Sequence, residues 1–244
     1  MGLRFDTSLF GTAWAFTRQW SLQLETWKAL SACNEFENAS LAIVGNAGYL
    51  AELPQGARID RHDLVLRMNN FQTAGFEANV GTRTDIFLTT FNTDVKLQNP
   101  ALDAAKFIVA SVPNNLRRQR SCGVLTPHGV QIAVGLQQLK RRQVFVPDWD
   151  YFLAKKELTG KYPTSGAMAI FLATDLLASR CRSIYLTGFS FFRGRSHYFS
   201  DQTVTPRNHN VEREEAVIRE QLRPLVAAGK ITLDEPMSAQ LNPR

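Results

Sequence analysis

A chain of 244 residues, 44% of them hydrophobic, holds enough apolar material for one large packed domain. Its formal charge of +6 favours anionic partners. Three cysteines, Cys33, Cys122 and Cys181, are too few and too irregularly spaced for a disulfide framework or a zinc site, and they fit a reducing compartment.

No Gly/Ser/Pro-rich linker, charge block or internal repeat divides the sequence. Residues 1–38 read as an N-terminal helical segment packing on a domain formed by 39–244. Its first 32 residues offer no long charge-free apolar stretch, which argues against a signal peptide or a membrane span. The positive charge concentrates in "LRRQR" (116–120), "LKRRQ" (139–143) and "FFRGRSH" (191–197). Such clusters are either a solvated surface or the footprint of a nucleotide, a phosphorylated glycan or lipid, or nucleic acid. No recognisable nucleic-acid motif accompanies them.

Strand candidates begin with "LAIVG" (41–45) and continue with "DLVLRMN" (63–69), "TDIFLTT" (84–90), "KFIVASV" (106–112) and the weaker "RQVFVPD" (142–148). "SGAMAIFLATDLLAS" (165–179) reads as a helix that is apolar nearly all round and therefore buried. It leads into a strand, "SIYLTGF" (183–189). A last helix starts near Asn208 and carries Val211, Ile218 and Leu222 as its apolar stripe. This alternation predicts an α/β fold, a single Rossmann-like domain around a mostly parallel sheet. Its ligand belongs beyond the carboxyl ends of the strands.

Chemistry-bearing residues gather in four places. Gly45-Asn46-Ala47-Gly48 follows the first strand candidate as a turn whose backbone can approach a phosphate. It lacks the third glycine of a dinucleotide fingerprint, and no acidic residue stands at the end of the next strand, so a dehydrogenase fits poorly. Asn46 either bonds a ligand oxygen or tolerates the turn's dihedrals. Thr164, Ser165 and Gly166 open the buried helix, where they are either plain caps or an anion site. His197 and His209 both follow the last strand candidate and are able to exchange protons with a hydroxyl or a departing phosphate. Asp148-Trp149-Asp150 has the form of a metal-binding DxD, but no third ligand is evident, and it reads as structural or as part of a mobile loop.

Together these segments resemble glycosyltransferase family 29, the sialyltransferases. The large motif of that family is similar to residues 41–88: "LAIVGNAGYL", "IDRHDLVLRMNN" and "GFEANVGTRTDIF". The small motif resembles 162–192, the H-Y-aromatic motif His197-Tyr198-Phe199, and the very small motif His209 with Glu214 five residues on. The resemblance implies a variant GT-A-type glycosyltransferase fold and a CMP-sugar donor, with no cofactor and no metal. It implies that Gly45, Asn46 and Asn69 bind the donor, that Thr164, Ser165 and Gly166 hold its cytidine-ribose part, and that Tyr162 reaches the phosphate. His197 is implied to bond the departing phosphate and His209 to deprotonate the acceptor. Glu214 is a supporting residue, since five helical residues span about 140° and would part it from His209 unless His209 precedes the regular helix.

The implied reaction is inverting transfer of sialic acid from CMP-sialic acid to a glycan or glycolipid hydroxyl. CMP-Kdo remains an alternative donor, and a non-catalytic CMP-binding assembly protein an alternative role. Family members from animals pair a cysteine at the start of the large motif with one in the small motif. Here Leu41 stands at the first position and Cys181 at the second. With no anchor in the sequence either, the expectation is a compact bacterial-type member. It is placed in the cytoplasm, and peripheral contact with an anionic inner membrane through its basic clusters is a further expectation. Residues 113–160, with His128, are assigned to the acceptor side as a block.

Overall fold

Long-range order begins with parallel strands whose two faces are both covered, which is why they read as continuous Val/Ile/Leu runs and not as alternating ones. The computed structural model describes residues 23–90, 104–113, 143–194, 196–200, 202 and 208–241. The clusters at 116–120 and 139–142, Cys122 and His128 lie outside the described residues. Among the described residues the strands are β1 (Gln23–Thr26), β2 (Ser40–Val44), β3 (Leu64–Met68), β4 (Ile86–Thr89), β5 (Phe107–Ala110), β6 (Gln143–Val146), β7 (Ser183–Thr187) and β8 (Ile231–Leu233). They form one sheet in the order β1-β6-β5-β4-β3-β2-β7-β8, with every pairing parallel. The expected mostly parallel sheet is therefore entirely parallel.

Among the described residues the α-helices are α1 (Trp27–Ser31), α2 (Gly56–Asp60), α3 (Glu77–Val80), α4 (Trp149–Thr159), α5 (Ser165–Leu172), α6 (Val211–Ala227) and α7 (Glu235–Leu241). Ala167 to Ala173 are all at most 2% exposed, so α5 is the helix the sequence predicts as buried all round. Its α-helical part is shorter than 165–179, because Ala173–Leu177 widen into a π-type turn. Among the described residues no helix is long and apolar enough to cross a membrane.

Three local readings differ. Gln23–Thr26 is a strand where helix was expected: it pairs in register with Gln143–Val146 and extends the sheet by one edge, a tertiary pairing that outweighs local propensity. Asp148-Trp149-Asp150 begins α4, with Asp148 at the cap and Asp150 in the first turn, where a carboxylate complements the helix dipole. The last helix is capped by Asn210, not Asn208: the Asn210 side chain accepts from the Arg213 N–H.

β3 contains a wholly buried cation. Arg67 is 0% exposed, and its Nε and Nη2 donate to the carbonyls of Arg83 (2.8 Å) and Val80 (2.6 Å). Burial lowers its pKa to about 10. The side chain ties the "VGTRT" loop beneath β3, which gives the large motif's two halves a common anchor. Leu41 and Cys181 belong to one buried cluster, and Cys181 is a free thiol. Apolar packing thus occupies the place where a cystine was implied in animal members.

Candidate active site

The strand order reverses at β2. From it the chain builds outward through β3, β4 and β5, then returns through β7 on the other flank. A crevice outside the carboxyl ends of the strands is the expected ligand site at such a switch point. There, a cavity of about 530 Å³ opens between the β2, β3, β4 and β7 exits and the starts of α5 and α6. Its wall includes Gly45, Asn46, Asn69, Thr164, Ser165, Gly166, His197, His209 and Glu214, nine of the ten residues the sequence nominates.

Gly45 is required by the fold itself. A Cβ there would lie 2.1 Å from the Gly188 carbonyl oxygen, so the turns after β2 and β7 touch backbone to backbone. Gly45 N–H donates to Thr187 and Ala47 N–H to Gly188. Gly188, at φ +81°, completes the pair. Asp234 braces this junction: its Oδ2 accepts from Tyr49 Oη (2.7 Å), Thr187 Oγ1 (2.7 Å) and Gly188 N–H (3.0 Å). Burial beside that carboxylate pushes the Tyr49 phenol pKa far upward, which keeps it a hydrogen-bond donor.

Asn46 spends its amide NH₂ on the carbonyls of Met68 (3.1 Å) and Asn70 (2.7 Å), joining the β2 and β3 exits. Its Oδ1 is buried with no partner among the described residues, as is Thr90 Oγ1 at the end of β4. Both residues face one cavity, so these two atoms are available to a ligand. Asn69 takes φ +49°, a left-handed conformation asparagine tolerates, and its Oδ1 accepts from Thr90 N–H.

The two histidines share one arrangement. His209 Nδ1 lies 2.6 Å from the Tyr162 carbonyl, and His197 Nδ1 3.2 Å from the Asn46 carbonyl. A carbonyl only accepts, so each Nδ1 carries the proton and each Nε2 is left for exchange. Tyr162 departs from its expected place: its ring is 52% exposed and carries the Lys156 ammonium 4.4 Å from its centroid. It is not part of the cavity wall, to which it contributes only through the carbonyl that orients His209.

Glu214 is 2% exposed, and its carboxylate accepts from both Thr164 Oγ1 (2.6 Å) and Thr164 N–H (2.9 Å). Thr164 Oγ1 in turn accepts from Ala167 N–H and caps α5. Burial raises the Glu214 pKa, against the lowering influence of those bonds and of His209. His209 precedes the Asn210 cap, so the angular separation of a regular helix does not apply, and both residues reach the cavity. Asp148 and Asp150 are not in the wall.

Sequence reasoning missed Thr90, Ser190, Phe191 and Phe192. Thr90 ends a predicted strand at the correct edge, a signal that was available. The two phenylalanines have φ of +46° and +61°, which nothing in their residue type announces.

The sequence matches glycosyltransferase family 29 (sialyltransferase) over residues 17–114 and 139–224. The chain belongs to that family. It is 45% identical over 78 residues to mouse alpha-N-acetylgalactosaminide alpha-2,6-sialyltransferase 2, covering 31% of this chain and 20% of the relative. It is 63% identical over 43 residues to human CMP-N-acetylneuraminate-beta-galactosamide-alpha-2,3-sialyltransferase 1, covering 18% and 13%. A longer match, 27% over 201 residues, joins it to mouse type 2 lactosamine alpha-2,3-sialyltransferase and covers 69% and 56%. The match thus spans well under two thirds of each of these relatives. A crystal structure of a mammalian sialyltransferase shares the fold at a TM-score of 0.56 and 22% identity, covering 91% of this chain and 78% of that one. These family 29 relatives are animal proteins and lend the bacterial-type expectation no support.

Proposed function

We infer that this protein transfers sialic acid from CMP-sialic acid to a hydroxyl of a glycan acceptor, by one displacement with inversion. The observation that carries the reading is the pair of histidines, each with Nδ1 held by a backbone carbonyl and each on the wall of one switch-point cavity. His209 Nε2 takes the acceptor hydroxyl proton as the new C–O bond forms at the anomeric carbon. The bond from that carbon to the phosphate oxygen breaks, and CMP leaves with the electron pair. His197, protonated, bonds the departing phosphate. The donors at the start of α5 add fixed positive potential, so no metal is required by the charge balance.

Gly45, Asn46, Asn69, Ser165 and Gly166 hold the donor. With its NH₂ engaged, Asn46 meets the donor through Oδ1, which suits a ribose hydroxyl or the cytosine amino group better than a phosphate oxygen. Thr164 acts through the helix it caps, its hydroxyl being already committed to Glu214 and Ala167. The relatives' names specify N-acetylgalactosaminide, galactosamide and lactosamine, and a related structure carries Gal-beta-1-3GalNAc-ortho-nitrophenol. Galactose- or N-acetylgalactosamine-terminated glycans are the acceptors proposed for this chain.

The test is CMP release by the purified protein with Gal-β1-3GalNAc. CMP-sialic acid and CMP-Kdo are run in parallel, each with and without EDTA. Release from CMP-sialic acid alone, insensitive to EDTA, is expected. His209→Ala should still bind CMP while its turnover falls about 10²- to 10⁴-fold. Unchanged turnover in that variant, or no binding of CMP by the wild type, would overturn the reading.

A further inference from the structure

Two consecutive aromatic residues at positive φ are costly, and such a pair persists only where its surroundings hold it. Phe191 (φ +46°) and Phe192 (φ +61°) are such a pair, in the turn that follows β7. Phe191 is 9% exposed, and both residues are in the cavity wall. The Phe192 ring lies alongside the His209 imidazole, within 17° of parallel and with centroids 6.5 Å apart. One hydrogen bond, Nδ1 to the Tyr162 carbonyl, fixes the direction of that nitrogen but leaves the imidazole free to rotate about the bond. A near-parallel ring alongside limits that rotation and so helps to aim Nε2.

What holds Phe192 is the next residue. Arg193 N–H donates to the Ser190 carbonyl (2.9 Å) and closes the turn. Arg193 Nη2 donates to both carboxylate oxygens of Glu215, at 2.7 and 2.8 Å. Glu215 is 7% exposed, sits in the first turns of α6, and is itself steadied by Arg219 at 2.9 Å. The helix that begins just after His209 therefore carries two adjacent buried carboxylates with separate duties. Glu214 fastens the start of α5, and Glu215 fastens the turn that carries the Phe192 ring.

We propose that the Glu215–Arg193 ion pair is a positioning device for His209, acting through the Phe192 ring. The proposal rests on the reading of His209 as the general base. Neither Arg193 nor Glu215 belongs to the cavity wall. The pair holds a strained turn in the one conformation that presents the ring to the imidazole, and its effect belongs to the proton-transfer step and not to donor capture.

The experiment measures kcat and the donor KM with CMP-sialic acid and Gal-β1-3GalNAc for wild type, Arg193→Ala, Phe192→Ala and Phe192→Gly. Urea unfolding is run on each. Displacing a reacting group by about an ångström costs up to about 100-fold. The variants should accordingly lose about tenfold or more in kcat while the donor KM stays within about twofold. Phe192→Gly should unfold at higher urea than Phe192→Ala, because glycine accepts φ +61° without strain, yet be equally slow. Wild-type kcat in Arg193→Ala or Phe192→Gly overturns the proposal. So does a loss expressed as a raised donor KM, which would assign the pair to general scaffolding. A wild type that transfers nothing fails at an earlier step and counts against the sialyltransferase reading instead.

Discussion

Removing the Glu214 carboxylate should loosen the start of α5, and the size of the effect follows from its bonds. Glu214→Ala deletes two hydrogen bonds to a buried charge, at 2.6 and 2.9 Å, and leaves the Thr164 N–H and the Thr164 hydroxyl hydrogen without a protein acceptor. Each such bond contributes about 1.5–3 kcal/mol, and water entering from the cavity recovers part, so a net loss of about 2–4 kcal/mol is expected. Glu214→Gln should lose only about 1–2 kcal/mol. Its amide oxygen can accept from Thr164 N–H while its NH₂ donates to Thr164 Oγ1, which leaves only the Thr164 hydroxyl hydrogen unplaced. The pH dependence has a definite sign. Burial holds the folded-state pKa above the ordinary 4.5, so the native state binds this proton more tightly than the unfolded chain. The stability that Glu214 contributes this way is fully present below pH 4.5 and is lost as pH rises through the raised value. The deficit of Glu214→Gln relative to wild type should therefore narrow as pH rises across that window, other carboxylates cancelling in the difference. Urea unfolding of all three proteins at several pH values is the assay. A Glu214→Ala protein as stable as wild type, or a deficit that widens with pH, would refute the reasoning.

Two further outcomes are expected. Gly45→Ala places a methyl group 2.1 Å from the Gly188 carbonyl oxygen, backbone against backbone, and overpacking of that kind costs about 1–3 kcal/mol. Urea unfolding should register the loss, and CMP titration should show weaker binding because both turns border the cavity. Cys181 is 1% exposed with its thiol pushed up to about 11 by burial, so in native protein at pH 8 it should escape iodoacetamide and react only after denaturation. Peptide mass spectrometry checks this directly.

The sheet was legible wherever burial on both faces left a run of Val, Ile and Leu. β2, β3, β4, β5 and β7 each lie within a residue or two of their predicted bounds. The edges were not legible. "QLET" has no run to read and is a strand only because β6 offers it a register. β8 is three residues long. α4 was obscured for a different reason: Trp149, Leu153 and Leu158 are 43%, 39% and 40% exposed, so its apolar residues do not mark its buried face. At the site, the nominated residues converge because the motifs occupy strand exits on one edge of the sheet. Roles carried by backbone escaped, as with Tyr162, whose carbonyl orients His209 while its ring turns outward.

Gly45 shows why a motif's chemistry and its geometry have to be argued separately. The turn after β2 invites the explanation that glycine lets a phosphate approach, and the cavity does begin there. Yet the atom that forbids a side chain at Gly45 belongs to Gly188, more than a hundred residues away in the chain, in the small motif. In a dinucleotide fingerprint one helix-opening loop supplies every close approach, which is why that loop needs its third glycine. Here the second half of the approach is delegated to the β7 turn, so Leu50 can take the room the third glycine would have left. Leu50 Cδ1 indeed lies 2.6 Å from where a Gly188 Cβ would stand. The large and small motifs are thus two halves of one junction. A substitution in either should weaken the nucleotide side of the cavity and reach His197, which hangs from the Asn46 carbonyl of the same turn, before it disturbs His209, which hangs from the Tyr162 carbonyl.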